Sequence, residues 1–192
     1  MKKNLSAAVI VTEGLKLLDE AGIEGVSTRK IARRLGVEQP ALYWHFKNKE
    51  MLLQAMAVEA MQSHRDFPLP DEDENLKKCF INNMKSFRQA LLCYRDGARL
   101  HAYHVPGDDT GRLEQKLGVL MRHGIAEQDA TLALMTASKF TVGFVLEEQQ
   151  ESSLSQLNKN SPFFITDKDY MYECGLEIIT RNLFMHGQNN SV

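Results

Sequence analysis

Residues 38–50, EQPALYWHFKNKE, set Tyr43, the chain's only tryptophan (Trp44), His45 and Phe46 side by side and follow them with Lys47 and Lys49. Such a cluster can fill a core, or it can hold rings and hydrogen-bonding edges out to a partner beside cations that attract phosphate. Upstream, Arg29, Lys30, Arg33 and Arg34 add a second basic stretch. Arg29 can offer a bidentate fork to guanine O6 and N7, and Gln39 can pair with adenine N6 and N7. Elsewhere, His101-Ala-Tyr-His104 places two imidazoles at i, i+3, a spacing able to grip a metal. No third ligand stands at motif spacing, and H-E-x-x-H, G-x-S-x-G, G-x-x-x-x-G-K-[ST] and G-x-G-x-x-G are all missing. The expectation is a protein that is not an enzyme, with no resident cofactor and no metal site.

The elements that must position these residues read as helices. Val11, Leu15 and Leu18 repeat at i, i+4, i+7, and AGIEG stops the segment. Gly14 inside that helix suggests that another helix crosses closely there. Ser27 is a good N-cap for TRKIARRLG, with Ile31, Ala32 and Leu35 as the inner stripe and Gly36 free to end the helix left-handed. Pro40 starts a short helix through ALYWHF, where its missing N–H costs nothing. Two short helices joined by LGVEQ have the helix-turn-helix layout, whose second helix enters a major groove. Further helices are expected over about 48–65, 75–94, 112–123, 127–150 and 168–186. FPLPDEDE, VPGDDTG and ESSLSQLNKNSP are the breaks. Strand alternation and internal repeats are both missing. The fold expected is all-α: a small three-helix head at 1–47 that carries the helix-turn-helix and a larger helical body at 48–192.

Bulk properties agree with that division. The 192-residue chain carries a formal net charge of only −2, yet residues 1–50 hold nine Lys and Arg against six Asp and Glu. A basic head on an acidic body suits a first third that meets an anion. Cys79, Cys93 and Cys174 are odd in number and far apart, which points to a reducing, cytoplasmic setting without disulfides. An apolar run of about 18 residues is needed to cross a bilayer, and none is expected. The segment 127–150 is apolar around most of its circumference and includes Ala133, Ala137, Ser138 and Gly143, small residues that permit close helix approach. That suggests burial on two sides, one of them by a second subunit.

The stretch TRKIARRLGVEQPALYWHFKNKEMLLQAMA resembles the DNA-binding head of TetR-family repressors. The resemblance continues through HRDFPLP, NNMKSFRQALLCYRDGARLH and FTVGFVLEEQQE, so that it covers most of residues 10–151. It implies a helix-turn-helix DNA-binding domain at 1–47, a helical effector-binding and dimerisation domain at 48–192, and a homodimer on a near-palindromic double-stranded operator. The first helix of the motif would contribute Thr28 and Arg29, the recognition helix Gln39, Pro40, Ala41, Tyr43, Trp44 and His45, and the next helix Lys49 on a phosphate. Tyr43 and His45 are then contacts, Trp44 is partly packed and partly at the DNA, and Phe46 joins Leu42 in the core.

The same resemblance implies an effector pocket lined by His64 or Arg65, Asn83, Phe87, His101, His104, Val105, Pro106, Lys116, Leu134, Ser138, Lys139 and Glu147. Asn83, Phe87, His101, Pro106 and Glu147 match the pattern that takes a tetracycline–magnesium chelate. Arg65, His104-Val105, Lys116 and Lys139 depart from it, and lysines oppose a cation. A lipophilic effector of another kind is therefore expected. Phe80, Phe87, Tyr94, Tyr103, Phe140 and Phe144 with Glu147 and Glu148 would suit a flat organic cation. The regulated gene would be an efflux pump. Two alternatives stay open: a true tetracycline–magnesium sensor, and a DNA-binding adaptor with no small ligand.

Overall fold

The computed structural model describes residues 5–70, 74–104, 111–154, 167–181 and 183–184, and every regular element among them is an α-helix. In chain order these are α1 (Ala7–Gly25), α2 (Thr28–Leu35), α3 (Gln39–Tyr43), α4 (Lys49–Ala60), α5 (Gln62–Arg65), α6 (Leu76–Leu92), α7 (Gly97–His104), α8 (Gly111–Arg122), α9 (Glu127–Leu154) and α10 (Lys168–Thr180). They form two compact units: Met1–Ser63 with Ala90–Gly107, and His64–Gln89 with Asp108–Val192.

In the first unit the caps are those the sequence advertises. Ser27 Oγ accepts from Lys30 N at 3.2 Å, Asn48 Oδ1 accepts from Met51 N at 2.8 Å, and Gly36 ends α2 at φ 67°. Each cap satisfies backbone groups that a helix end leaves orphaned. Gly14 marks the expected crossing, since a Cβ there would lie 2.7 Å from Met56 Sδ on α4. Ile10, Leu18, Ile31, Leu42, Leu52, Met56 and Leu100 are fully buried between α1, α2, α3, α4 and α7. The stop at AGIEG is a break rather than an end. Gly22 turns at φ 69°, the chain continues helically to Gly25, and Asp96 Oδ2 accepts from Ile23 N at 2.9 Å, tying the start of α7 to α1.

The second unit is built around Phe80, Met84, Leu120, Ala130, Leu134, Ala137, Tyr172 and Leu176. Arg88 reaches across it from α6 to Glu148 on α9, donating from Nε at 2.8 Å and from Nη2 at 2.7 Å, and to Asp169 on α10 at 2.5 Å. Its guanidinium also lies over the rings of Phe144 and Tyr172, at 5.4 and 5.1 Å. Helix α9 corrects one expectation: Glu127–Gln150 is long and apolar enough to cross a membrane by length and composition, with a third of its most apolar window buried. The residues that supply this apolarity are divided. Ala130, Ala133, Leu134, Ala137 and Val145 are buried, whereas Leu132 and Met135 are exposed. A helix with one buried and one exposed apolar face is a core helix awaiting a cover, so the membrane reading is not adopted.

Tyr172 locks the unit's centre. Its hydroxyl donates to Met84 O at 2.8 Å and lies 2.7 Å from Thr141 Oγ1, and burial pushes its pKa up to about 12. Tyr172→Phe leaves the Met84 carbonyl without that donor and should cost about 1–3 kcal/mol in chemical denaturation at neutral pH. Because the folded pKa lies above the unfolded value of 10.0, the wild type loses stability as pH rises from 10.0 through about 12. The variant should lack that component of the alkaline loss.

Candidate functional site

The basic head presents its residues by burying their neighbours. Helix α3 has five residues, too few to be stable alone. Leu42, 1% exposed, and the buried Phe46 hold it and the following turn down. Arg29, Pro40, Tyr43, Trp44, His45 and Lys49 are thereby left exposed, with Ala41 and Gln39 half-buried. Gln39 Nε2 donates to Thr28 Oγ1 at 3.0 Å and to Tyr43 Oη at 3.2 Å, which fixes α3 against α2. Thr28 is buried and serves this link.

Two expectations change here. Trp44 is 90% exposed rather than partly packed. α3 ends at Tyr43, and in the turn that follows Leu42 and Phe46 take the inward positions, which leaves the indole outside. Arg34 is no free phosphate ligand either. It bonds Glu13 at 3.3 Å and Glu20 at 3.0 Å on α1, and the Glu20 hydrogen bond holds its pKa above the ordinary arginine value. Nothing in the local sequence announces that pairing, because it depends on how α1 and α2 cross. Arg33 stays exposed, and Lys30 Nζ donates to Gly25 O at 3.1 Å.

His101 and His104, at the end of α7, belong to this first unit. His104 Nδ1 lies 2.9 Å from Glu50 Oε1 in the first turn of α4, next to Lys49. Glu50 was not among the expected site residues. Val105 and Pro106 lie outside the described residues.

The second unit contains a hollow lined by Leu69, Leu76, Phe80, Asn83, Lys116 and Leu134 among others. It measures about 340 Å³ counted out to its open mouth. Lys116 Nζ donates to His64 Nε2 at 3.0 Å. An ammonium can only donate, so the imidazole proton resides on Nδ1, 3.3 Å from Ser86 Oγ. The buried His64 ring also packs on Phe87, with centroids 5.1 Å apart. Asn83 is 9% exposed, and its Oδ1 has no hydrogen-bond partner among the described residues. Of the remaining expected pocket residues, Arg65 and Ser138 are half-buried, while Lys139 and Glu147 are exposed on α9. Sequence reasoning missed Ser86, Leu69, Leu76 and Cys79; only the i, i+4 spacing of Cys79 with Asn83 signals a shared face.

The ring-and-carboxylate cage expected for an organic cation does not form among the described residues. Phe140 stacks on Tyr172 at 5.6 Å, Phe144 packs on both, and Glu148 is held by Arg88. Tyr103 is exposed in the other unit. No three His, Cys, Asp or Glu side chains gather as a metal site among the described residues.

Comparisons with known proteins fit both units. Residues 10–56 match the bacterial regulatory proteins of the tetR family, and residues 67–163 match the tetracyclin repressor-like C-terminal domain. The chain belongs to the TetR family. It is 47% identical over 150 residues to the class A tetracycline repressor from transposon 1721 of Escherichia coli, covering 78% of this chain and 69% of the relative. Among solved structures it resembles TetR from Acinetobacter baumannii AYE, with a TM-score of 0.82 and 35% identity over 93% of this chain and 96% of the other. It also resembles class A TetR in complex with 5a,6-anhydrotetracycline and magnesium, with a TM-score of 0.77 and 40% identity over 95% and 98% of the two chains.

We propose that in this TetR head Arg29 reads a base edge and Lys49 meets a phosphate, both side chains being exposed. Arg29→Ala should cost about 1–3 kcal/mol on the operator and relax preference at one base pair. Lys49→Ala should weaken all duplexes similarly and lower the salt slope by about 1. Fluorescence anisotropy on operator and scrambled duplexes, at several salt concentrations, reads both. Equal losses on both duplexes for both variants would contradict the assignment.

Proposed function

We propose that this TetR-family regulator is a homodimeric repressor whose grip on a palindromic operator is released by a small lipophilic effector, and that it controls an efflux-pump gene. The observation that carries the reading is the outward array of Arg29, Tyr43, Trp44, His45 and Lys49 above the buried Leu42 and Phe46. One such head buries too little DNA for a selective site, and two-fold repetition across successive major grooves supplies the rest. Known relatives are named as tetracycline repressors, which supports the efflux target and a cytoplasmic setting. A family of regulators leaves the enzyme readings without support.

The partner's seat would be the uncovered side of α9 and α10. Leu132 is 66% exposed and Ile178 67%, with Met135 and Tyr170 also exposed. Along α9, Leu132, Thr136, Lys139, Gly143 and Glu147 recur at three- and four-residue intervals and are all exposed. On this reading Lys139 and Glu147 serve the contact between copies, not the hollow of their own unit.

Release follows from linkage. An effector shifts the equilibrium only by binding the DNA-incompetent state more tightly. Within the first unit, α7 packs on α4, and the His104–Glu50 contact joins the end of α7 to the helix turn that carries Lys49. A shift of α7 is thus transmitted to the element that positions the head. The hollow in the second unit favours a ligand sensor over a DNA-binding adaptor with a filled body. A tetracycline–magnesium effector is the second reading, favoured by the matches at Asn83, Phe87, His101, Pro106 and Glu147 and by the likeness to the anhydrotetracycline complex.

A gel shift on the chain's own upstream DNA, with and without tetracycline plus magnesium, tests release and that second reading together. The double variant Leu132→Asp, Ile178→Asp should run at half the wild-type mass in light scattering and bind the operator at least tenfold more weakly. A wild-type chain that elutes as a monomer while still binding the palindrome would overturn the dimer.

A further inference from the structure

We propose that Arg88 is the positioning residue of the contact between copies: from α6 it fixes α9 and α10 against each other, so that their uncovered sides form one face. The proposal rests on the homodimer reading above and names the joint that assembles its surface. One side chain engages four others on two helices. Arg88 Nε and Nη2 donate to the two oxygens of Glu148 on α9, at 2.8 and 2.7 Å. A planar guanidinium makes such a parallel fork and an ammonium does not. Nη1 donates to Asp169 Oδ1 at 2.5 Å, in the first turn of α10. The same group lies over the ring of Phe144 on α9 and that of Tyr172 on α10. The Arg88 and Glu148 side chains are only 12% and 11% exposed, so water competes weakly for the fork.

Two points of attachment to α6 fix a helix where one does not. The Tyr172 hydroxyl pins the middle of α10 to Met84 O, and Arg88 pins its first turn. Gly175 lets α10 come close to α9, since a Cβ there would lie 2.3 Å from Phe140 Cζ. Close approach alone leaves α10 free to turn, and the second attachment removes that freedom. The residues read above as contacts sit beside the joint: exposed Tyr170 follows Asp169, and exposed Glu147 precedes Glu148. The other ion pairs of the seam differ in kind. Lys77 with Glu177 and Lys85 with Glu173 also join α6 to α10, but each of those side chains is at least 36% exposed. Exposed pairs contribute little, and these reach α10 without α9.

Sedimentation over a dilution series and hydrogen exchange read by mass spectrometry, both on the full chain, test this. Arg88→Met should keep the helical circular dichroism yet dimerise about tenfold more weakly, the worth of one charge-assisted hydrogen bond. Amides of α10 should exchange faster in that variant, while those of α1 and α4 stay unchanged. Arg88→Lys keeps the charge without the fork and should fall between wild type and Arg88→Met; it carries the same comparison if Arg88→Met does not fold. The double variant Lys77→Met, Lys85→Met is the control and should dimerise like wild type. The joint is overturned if Arg88→Met dimerises as wild type does, if Arg88→Lys is equal to wild type, or if the control loses as much as Arg88→Met. The two readings fail separately. A dimer indifferent to Arg88 sinks the joint and leaves the dimer standing. A wild type that is monomeric throughout sinks the dimer, and the exchange of α10 then decides whether Arg88 positions that helix.

Discussion

The presentation of the head's exposed residues depends on two side chains buried beneath them, Leu42 and Phe46. A five-residue helix has no stability of its own, so the position of α3 is set by Leu42 and Phe46 packing into the first unit's core. Once those two are anchored, helix and turn geometry leaves Tyr43, Trp44 and His45 facing outward. The Gln39 bonds to Thr28 and Tyr43 then remove the remaining rotation between α2 and α3. Rigid presentation matters because base readout requires donor and acceptor positions fixed to a fraction of an ångström. The exposed indole of Trp44, otherwise a liability on a protein surface, is an expected feature of a surface built to be covered.

The second constraint is that the head's support is shared. Helix α4 carries Lys49 and buries Leu52, Leu53, Met56 and Ala57, while α7 packs against it. Asp96 ties the start of α7 to α1, and His104 ties its end to α4. α7 is therefore fastened at both ends, to α1 and to α4, the helices on which the head is built. Any ligand that moves α7 acts on that frame directly, and packed cores respond by stepping between arrangements rather than by bending.

Much of this is legible in the sequence because it is local. Ser27, Asn48, Gly36 and Pro40 act within a turn of their own position, so caps and helix starts can be read before any packing is known. Gly14 likewise signals a close crossing, and Met56 occupies it. What escapes is set by how helices cross. Glu13 and Glu20 remove Arg34 from the free cations, and His104 meets a carboxylate 54 residues away. The effector pocket is the clearest case. The resemblance names His64, Asn83, Phe87 and Lys116, and the structure adds that Lys116 donates to His64 while Asn83 keeps an unpaired oxygen. Those two details decide which polar groups the hollow offers. No periodicity encodes them, since they arise where α5, α6 and α8 converge.

The single tryptophan offers the most direct test of the central claim that α3 and its turn are the DNA-facing surface of a paired protein. Its indole is 90% exposed in the free chain, so its emission should sit near that of tryptophan in water. Titration with the upstream operator should shift or quench that emission and saturate at one duplex per two chains, while a scrambled duplex at the same salt leaves it largely unchanged. Emission that ignores the operator, or that saturates at one duplex per chain, would contradict the account.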